Sequence, residues 1–85
     1  MISVKCLGHI GTSVGAEEVT LPDEEIDAEE IVRRLRALSV EADPGFTKYN
    51  TLVMVEDGEA FVPAAAKRIV KSGQKVVLIP FSHGG

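Results

Sequence analysis

The chain closes on Pro80-Phe81-Ser82-His83-Gly84-Gly85, and the reactive group there is the carboxylate of Gly85. A carboxylate can attack the α-phosphorus of ATP and become an acyl adenylate. Bulk beside that carbon would hinder both the attack and a later displacement by sulfur. Glycines at 84 and 85 leave the approach open and make the end of the chain thin and conformationally permissive. Such an end suits a narrow channel in another protein. Phe81, Ser82, His83 and Gly84 would occupy the channel and Gly85 would carry the activated group. The plainer reading of the same residues is a frayed end.

Other chemistry is sparse. His9 and His83 are the only histidines and Cys6 is the only cysteine. Without an H-x-x-x-H spacing a zinc site has little support. No G-x-x-x-x-G-K-[ST] run is present, so no P-loop of that type holds a nucleotide. A nucleophilic Cys6 would need a nearby base and a lowered pKa. Its place in the alternation Ile2-Ser3-Val4-Lys5-Cys6 puts it on an inner face with Ile2 and Val4 instead. His9 reads as an exposed loop residue and His83 as spacer. The chain is therefore expected to be no enzyme itself, to bind no metal or cofactor, and to act through partners.

Eighty-five residues suffice for one domain with a small core. Nearly half are apolar and a quarter charged, which suits a globular chain. One cysteine excludes an internal disulfide and fits a reducing cytoplasm. No apolar run approaches the ~20 residues that span a bilayer, so no membrane is expected. Nor does a basic start lead into an apolar core, as a signal peptide would require. The net charge of −4 argues against nucleic acid, whose phosphates call for a basic face. Eight of the thirteen acids fall between Glu17 and Glu30. They read as a solvated loop and helix start, or as a docking surface for a basic partner.

The elements that must position the tail follow from pattern. Ile2–Cys6 and Glu18–Leu21 alternate as half-buried strands, with Gly8, Gly11 and Gly15 marking a glycine-rich connection. Asp27 and Glu30 resemble a capping box. Ile31, Val32, Leu35 and Leu38 then form a helical stripe that should stop at Asp43-Pro44-Gly45. Thr51–Val55 is a buried strand, and Asp57-Gly58 predicts a hairpin returning through Ala60-Phe61-Val62. Ala64 to Val70 reads as a short helix or helical turn. Ser72-Gly73-Gln74 turns the chain into a last strand, Lys75 to Ile79, which Pro80 should end. The class is α+β: a mixed sheet of about five strands with one main helix on one face. That order suits a β-grasp, the ubiquitin-like roll, over residues 1–80, with 81–85 as a flexible tail. One helix covers one face only. The continuously apolar runs Leu52–Val55 and Val76–Ile79 therefore predict an apolar outer face that binds protein, unless loops from Ala37 to Tyr49 cover it.

Most of the chain resembles the ThiS/MoaD family of small sulfur carriers. The opening Val4-Lys5-Cys6-Leu7-Gly8-His9-Ile10 through Gly15 is similar to the family's first strand and loop, and the capped helix follows at the family's distance. The ending Gly73-Gln74-Lys75-Val76-Val77-Leu78-Ile79-Pro80-Phe81-Ser82-His83-Gly84-Gly85 resembles its G-D-x-V, apolar strand, proline, spacer and Gly-Gly. Gln74 stands where the family often has Asp, Asp57-Gly58 where it often has Asn-Gly, and Phe81 where a second proline often follows. The resemblance implies a carrier whose terminal glycine, here Gly85, is adenylated by an E1-like enzyme (MoeB/ThiF-like) using ATP. A persulfide donor then makes the thiocarboxylate, which gives its sulfur to a biosynthetic enzyme. The chain's length and its extended segment Ala37 to Asn50 lean toward molybdopterin, with a molybdopterin synthase large subunit as acceptor. Thiazole and tRNA-thiolation carriers stay open. So do a ubiquitin-like modifier that forms isopeptide bonds, a β-grasp interaction module whose tail is never activated, and a small enzyme using Cys6.

Overall fold

Alternation of apolar and polar residues fixes the first strand, β1 (Ile2–Cys6), with Ile2, Val4 and Cys6 buried. Seven elements follow: α1 (Gly8–Val14), β2 (Glu18–Leu21), β3 (Glu25–Asp27), α2 (Ala28–Ala37), β4 (Thr51–Val55), β5 (Ile69–Lys71) and β6 (Lys75–Pro80). The computed structural model describes residues 1–56 and 58–81. A four-stranded sheet runs β2-β1-β6-β4, and β3 pairs with β5 in a separate two-stranded ribbon. β1 and β6 are parallel, Val4 opposite Val76, and the other pairs are antiparallel. The expected sheet of about five strands is thus four strands plus a ribbon. One mixed sheet with a main helix on one face stands as expected.

Glycines between 8 and 15 do not make a loop. They build α1. Ile10 and Val14, four residues apart, are buried on one side of it. Gly15 caps it at φ 82°, donating its N–H to the Gly11 carbonyl at 2.8 Å. A Cβ on Gly11 would lie 2.9 Å from the Cys6 carbonyl oxygen, so that glycine allows the helix to fold back on β1.

In α2 the Asp27 carboxylate accepts from the Glu29 N–H at 2.8 Å. The reciprocal half of a capping box is missing, because Glu30 is held by Arg33 and Arg34 instead. Ile31, Val32 and Leu35 are buried, but Leu38 is 50% exposed and outside the stripe. The helix ends at Ala37, well before Asp43-Pro44-Gly45. Ser39 competes with it: its hydroxyl accepts from the Glu41 N–H at 3.0 Å and turns the chain away.

Beyond α2 the chain enters the core at Phe46, which is fully buried, and the Arg36 Nε–H holds the Phe46 carbonyl at 2.7 Å. Phe46 joins Ile31, Val32 and Leu35 against Val53, Val76 and Leu78. The segment therefore fills the helix side of the sheet. The predicted return strand at 60–62 is a single bridge, Phe61 exchanging backbone bonds with Val53 at 2.8 and 2.9 Å. Asp57 of the predicted hairpin turn lies outside the described residues. Ala64 to Val70 forms no helix. A turn binds the Ala65 N–H to the Val62 carbonyl, and Ile69–Lys71 pairs with β3.

Candidate functional site

The root of the C-terminal segment is built by β6, which lies between β1 and β4. Leu7 donates its N–H to the Leu78 carbonyl at 3.1 Å, so even-numbered residues of β6 turn their backbone groups toward β1. Pro80 is one of them. β1 has by then turned into α1, so the missing proline N–H costs no ladder bond. Odd-numbered residues face β4: the Phe81 N–H donates to the Asn50 carbonyl at 2.8 Å, one step beyond the Thr51–Pro80 pair. Proline ends pairing on one side only, and Phe81 is still bonded to the fold through its backbone. Asn50 is itself fixed, its Oδ1 accepting from the Thr47 N–H at 2.7 Å.

Gly8 closes the root from the other side. It sits at φ 55°, and a Cβ there would stand 3.0 Å from Pro80 Cγ. Only glycine meets both demands without strain. The predicted tail residues Ser82, His83, Gly84 and Gly85 lie outside the described residues.

Around this root the outer face of the sheet is graded. Register places Leu52 beside Ile79, and Leu7 follows on the outward side of β1. The next row is Met54, Val77 and Lys5; the next holds Lys75 and Ser3. Leu52, Met54, Val77 and Ile79 are half-buried, and Leu7 is exposed. The apolar end of the face is thus the end where the chain leaves the sheet, and lysine and serine mark the far end. A half-wet apolar surface of this kind is what a protein partner covers.

Cys6 lies elsewhere in chemical terms. It is buried, and loss of solvation pushes its thiol pKa up, the reverse of an activated nucleophile. His9 is exposed, though on α1 rather than in a loop. Among the described residues no group of three His, Cys, Asp or Glu could hold a metal ion, and no helix is long and apolar enough to cross a membrane. The acidic stretch is partly consumed by the fold. Arg34 forks onto Asp23 at 2.7 and 3.0 Å and reaches Glu30 at 3.3 Å. Glu29 pairs with Lys48, and Glu18 accepts from Ser3 Oγ at 2.7 Å. The hydrogen bond from Arg33, with Arg34 adding to it, holds the Glu30 carboxyl down at about 2. Lys48, drawn up by Glu29, lines a groove of about 520 Å³ between α2 and Thr47–Tyr49.

Two solved structures share this arrangement. The crystal structure of H. volcanii small archaeal modifier protein 1 superimposes with a TM-score of 0.65 at 15% identity, covering 95% of this chain and 97% of that one. A crystal structure of SAMP1 from Haloferax volcanii gives 0.64 at 16% identity, covering 99% and 98%. The chain has a ubiquitin-like β-grasp fold. The sequence matches no protein-family model and no curated protein. In β-grasp terms the sheet, α2 and the emerging C-terminal strand are the parts that pattern alone revealed. The bond from Phe81 to Asn50 and the fit of Gly8 against Pro80 were not. Both depend on which side of β6 a residue faces, and that is set by pairing with distant strands.

Proposed function

We propose that this chain is a non-catalytic carrier whose Gly85 carboxylate is activated by an E1-like enzyme and converted to a thiocarboxylate. A carboxylate oxygen attacks the α-phosphorus of ATP and pyrophosphate leaves. The terminal sulfur of a persulfide displaces AMP, and a second thiol cleaves the resulting acyl disulfide to leave the thiocarboxylate. The sulfur passes to a biosynthetic enzyme; the resemblance to MoaD-like chains makes a molybdopterin synthase large subunit the first acceptor to test. The observation that carries this reading is the root of the tail. A central strand delivers residues 82–85 from a fixed point, beside the apolar end of the outer face, where an activating enzyme would dock (MoeB/ThiF-like by the same resemblance).

A second reading is favoured by the fold neighbours, both named as modifier proteins or their abbreviation. Activation would be the same, but a lysine amine would take Gly85 in an isopeptide bond. One experiment addresses both. The protein is incubated with ATP, a sulfur donor and the E1-like enzyme of its organism, and the C-terminal fragment is weighed by mass spectrometry. Exchange of one oxygen for sulfur at Gly85, absent from a chain lacking Gly84-Gly85, is the expected result. Lysine adducts ending in Gly85 would assign the modifier role. An unaltered terminus, beside an enzyme active on another carrier, would overturn both and leave an interaction module.

A further inference from the structure

The sheet order leaves β2 at an edge. Which of its backbone groups are used follows from β1. The Cys6 N–H donates to the Glu17 carbonyl at 2.8 Å, so the even residues of β1 face β2. Val4 is opposite Val19 and Ile2 opposite Leu21, and antiparallel alternation therefore gives Glu17, Val19 and Leu21 to β1. The N–H and C=O of Glu18 and Thr20 point away from the sheet. Among the described residues nothing bonds to them. The opposite edge differs, because Phe61 takes both backbone groups of Val53 on β4.

The borders of this edge have distinct chemistry. Glu17, Glu18 and Thr20 are exposed along it. On the helix side Val19 is only partly buried against the core. Arg34 bonds Asp23 just past the end of β2, and Val40 Cγ1 stands 3.4 Å from a Cβ position on Gly15, just before its start. Arg34 and Val40 thus stand near the two ends of β2, and Leu38, between them in sequence, and Val40 are 50% and 75% exposed.

We propose that the β2 edge is a docking strand for an extended segment of another protein that alternates Lys or Arg with aliphatic residues. The free groups of Glu18 and Thr20 supply main-chain bonds, and alternate side chains supply selectivity. Basic residues meet Glu18 on the outer face; aliphatic ones meet Val19 and the exposed Leu38 and Val40 on the helix side. A second copy is the poorer occupant, because it brings Glu17 and Glu18 of its own to the shared edge and like charges across strands repel. β1 separates this edge from β6, so it is open independently of any chemistry at Gly85.

The test is a titration of ¹⁵N-labelled protein with a short synthetic peptide alternating lysine and valine, read by amide shifts and hydrogen exchange. Shifts centred on β2, slowed exchange of the Glu18 amide, and binding that weakens with salt are expected. Glu18→Lys should weaken binding about fivefold. Thr20→Pro removes an outward N–H but no bond to β1, a position where edge strands accept proline, and should weaken binding comparably. If Thr20→Pro does not fold, Glu18→Lys decides alone. Equal affinity for a peptide alternating aspartate and valine, shifts centred on another strand, or undiminished binding to the variants would overturn the proposal. So would a dimer of the free protein that occupies β2 and excludes the peptide.

Discussion

Replacing Phe46 with alanine tests how the long segment after α2 contributes. Among the described residues Phe46 is the largest fully buried side chain, and it belongs to one core cluster with the buried residues of α2 and of the inner face of the sheet. Removing a buried phenylalanine costs about 3–5 kcal/mol, because the cavity left behind collapses only in part. A chain of 85 residues has about 4–13 kcal/mol of stability in all. The loss is therefore about a quarter of the total or more. For a domain of this size it should lower Tm by roughly 12–40 °C. The bond from Arg36 Nε to the Phe46 carbonyl does not depend on the side chain, so the measurement isolates packing. Denaturant and thermal unfolding followed by circular dichroism would measure it, with Val40→Ala, at a 75% exposed site, as control. A loss for Phe46→Ala below about 1 kcal/mol, or no larger than that of Val40→Ala, would refute the reasoning.

Three further outcomes follow from the geometry. Gly8→Ala should destabilise by about 1–2 kcal/mol through its left-handed backbone; it should also shift the Phe81 amide by NMR, since the new methyl meets Pro80. Gly73→Ala, at φ 93° with open space around it, should show the strain without the Phe81 shift. Cys6 should be alkylated by iodoacetamide far more slowly in the native protein than in urea, because burial both shields the thiol and raises its pKa; equal rates would contradict its place in the core. Asp23 and Glu30 are held below their ordinary pKa by Arg34 and, first for Glu30, by Arg33. For Glu30, a folded-state pKa below the unfolded value means stability that is present above about pH 4.5 and lost as pH falls toward about 2, and Asp23 acts in the same direction. Unfolding curves across that range should flatten in Glu30→Gln, and added salt should shrink the effect at this exposed cluster.

What the sequence revealed was what nearest neighbours decide. β1, β2, β4 and β6 announce themselves by alternation or continuous apolar runs, and α2 by its stripe and its Asp27 cap. Gly8, Gly11 and Gly15 misled because glycine reads as a break. Here one glycine gives helix α1 room against β1 and another caps it, while Ile10 and Val14 carry the helical signal. β3 and β5 have three residues each, too few for a period, and exist through pairing with each other. Leu38 keeps helical spacing but comes after the last helical residue, so it points to water. At the site, the outer face could be foreseen from Leu52–Val55 and Val76–Ile79. Its grading from Leu7, Ile79 and Leu52 to Lys75 and Ser3 could not, because that order is a property of register between strands distant in sequence.

Were Gly85 activated as proposed, the position of β6 would let one small domain serve a reactive end and a binding surface together. An edge strand would leave the root of the tail held from one side. β6 is paired with β1 as far as Leu78 and with β4 as far as Phe81, so its two ladders end at different points. The offset leaves Pro80 facing the gap vacated by β1, and Gly8 fills that gap. The chain thus leaves the sheet at a place set by backbone bonds and one close contact, not by side chains that a partner must displace. Partner side chains can then be spent on the outer face, whose apolar rows begin at that same point. The β2 edge, on the far side of β1, is left for a different kind of contact.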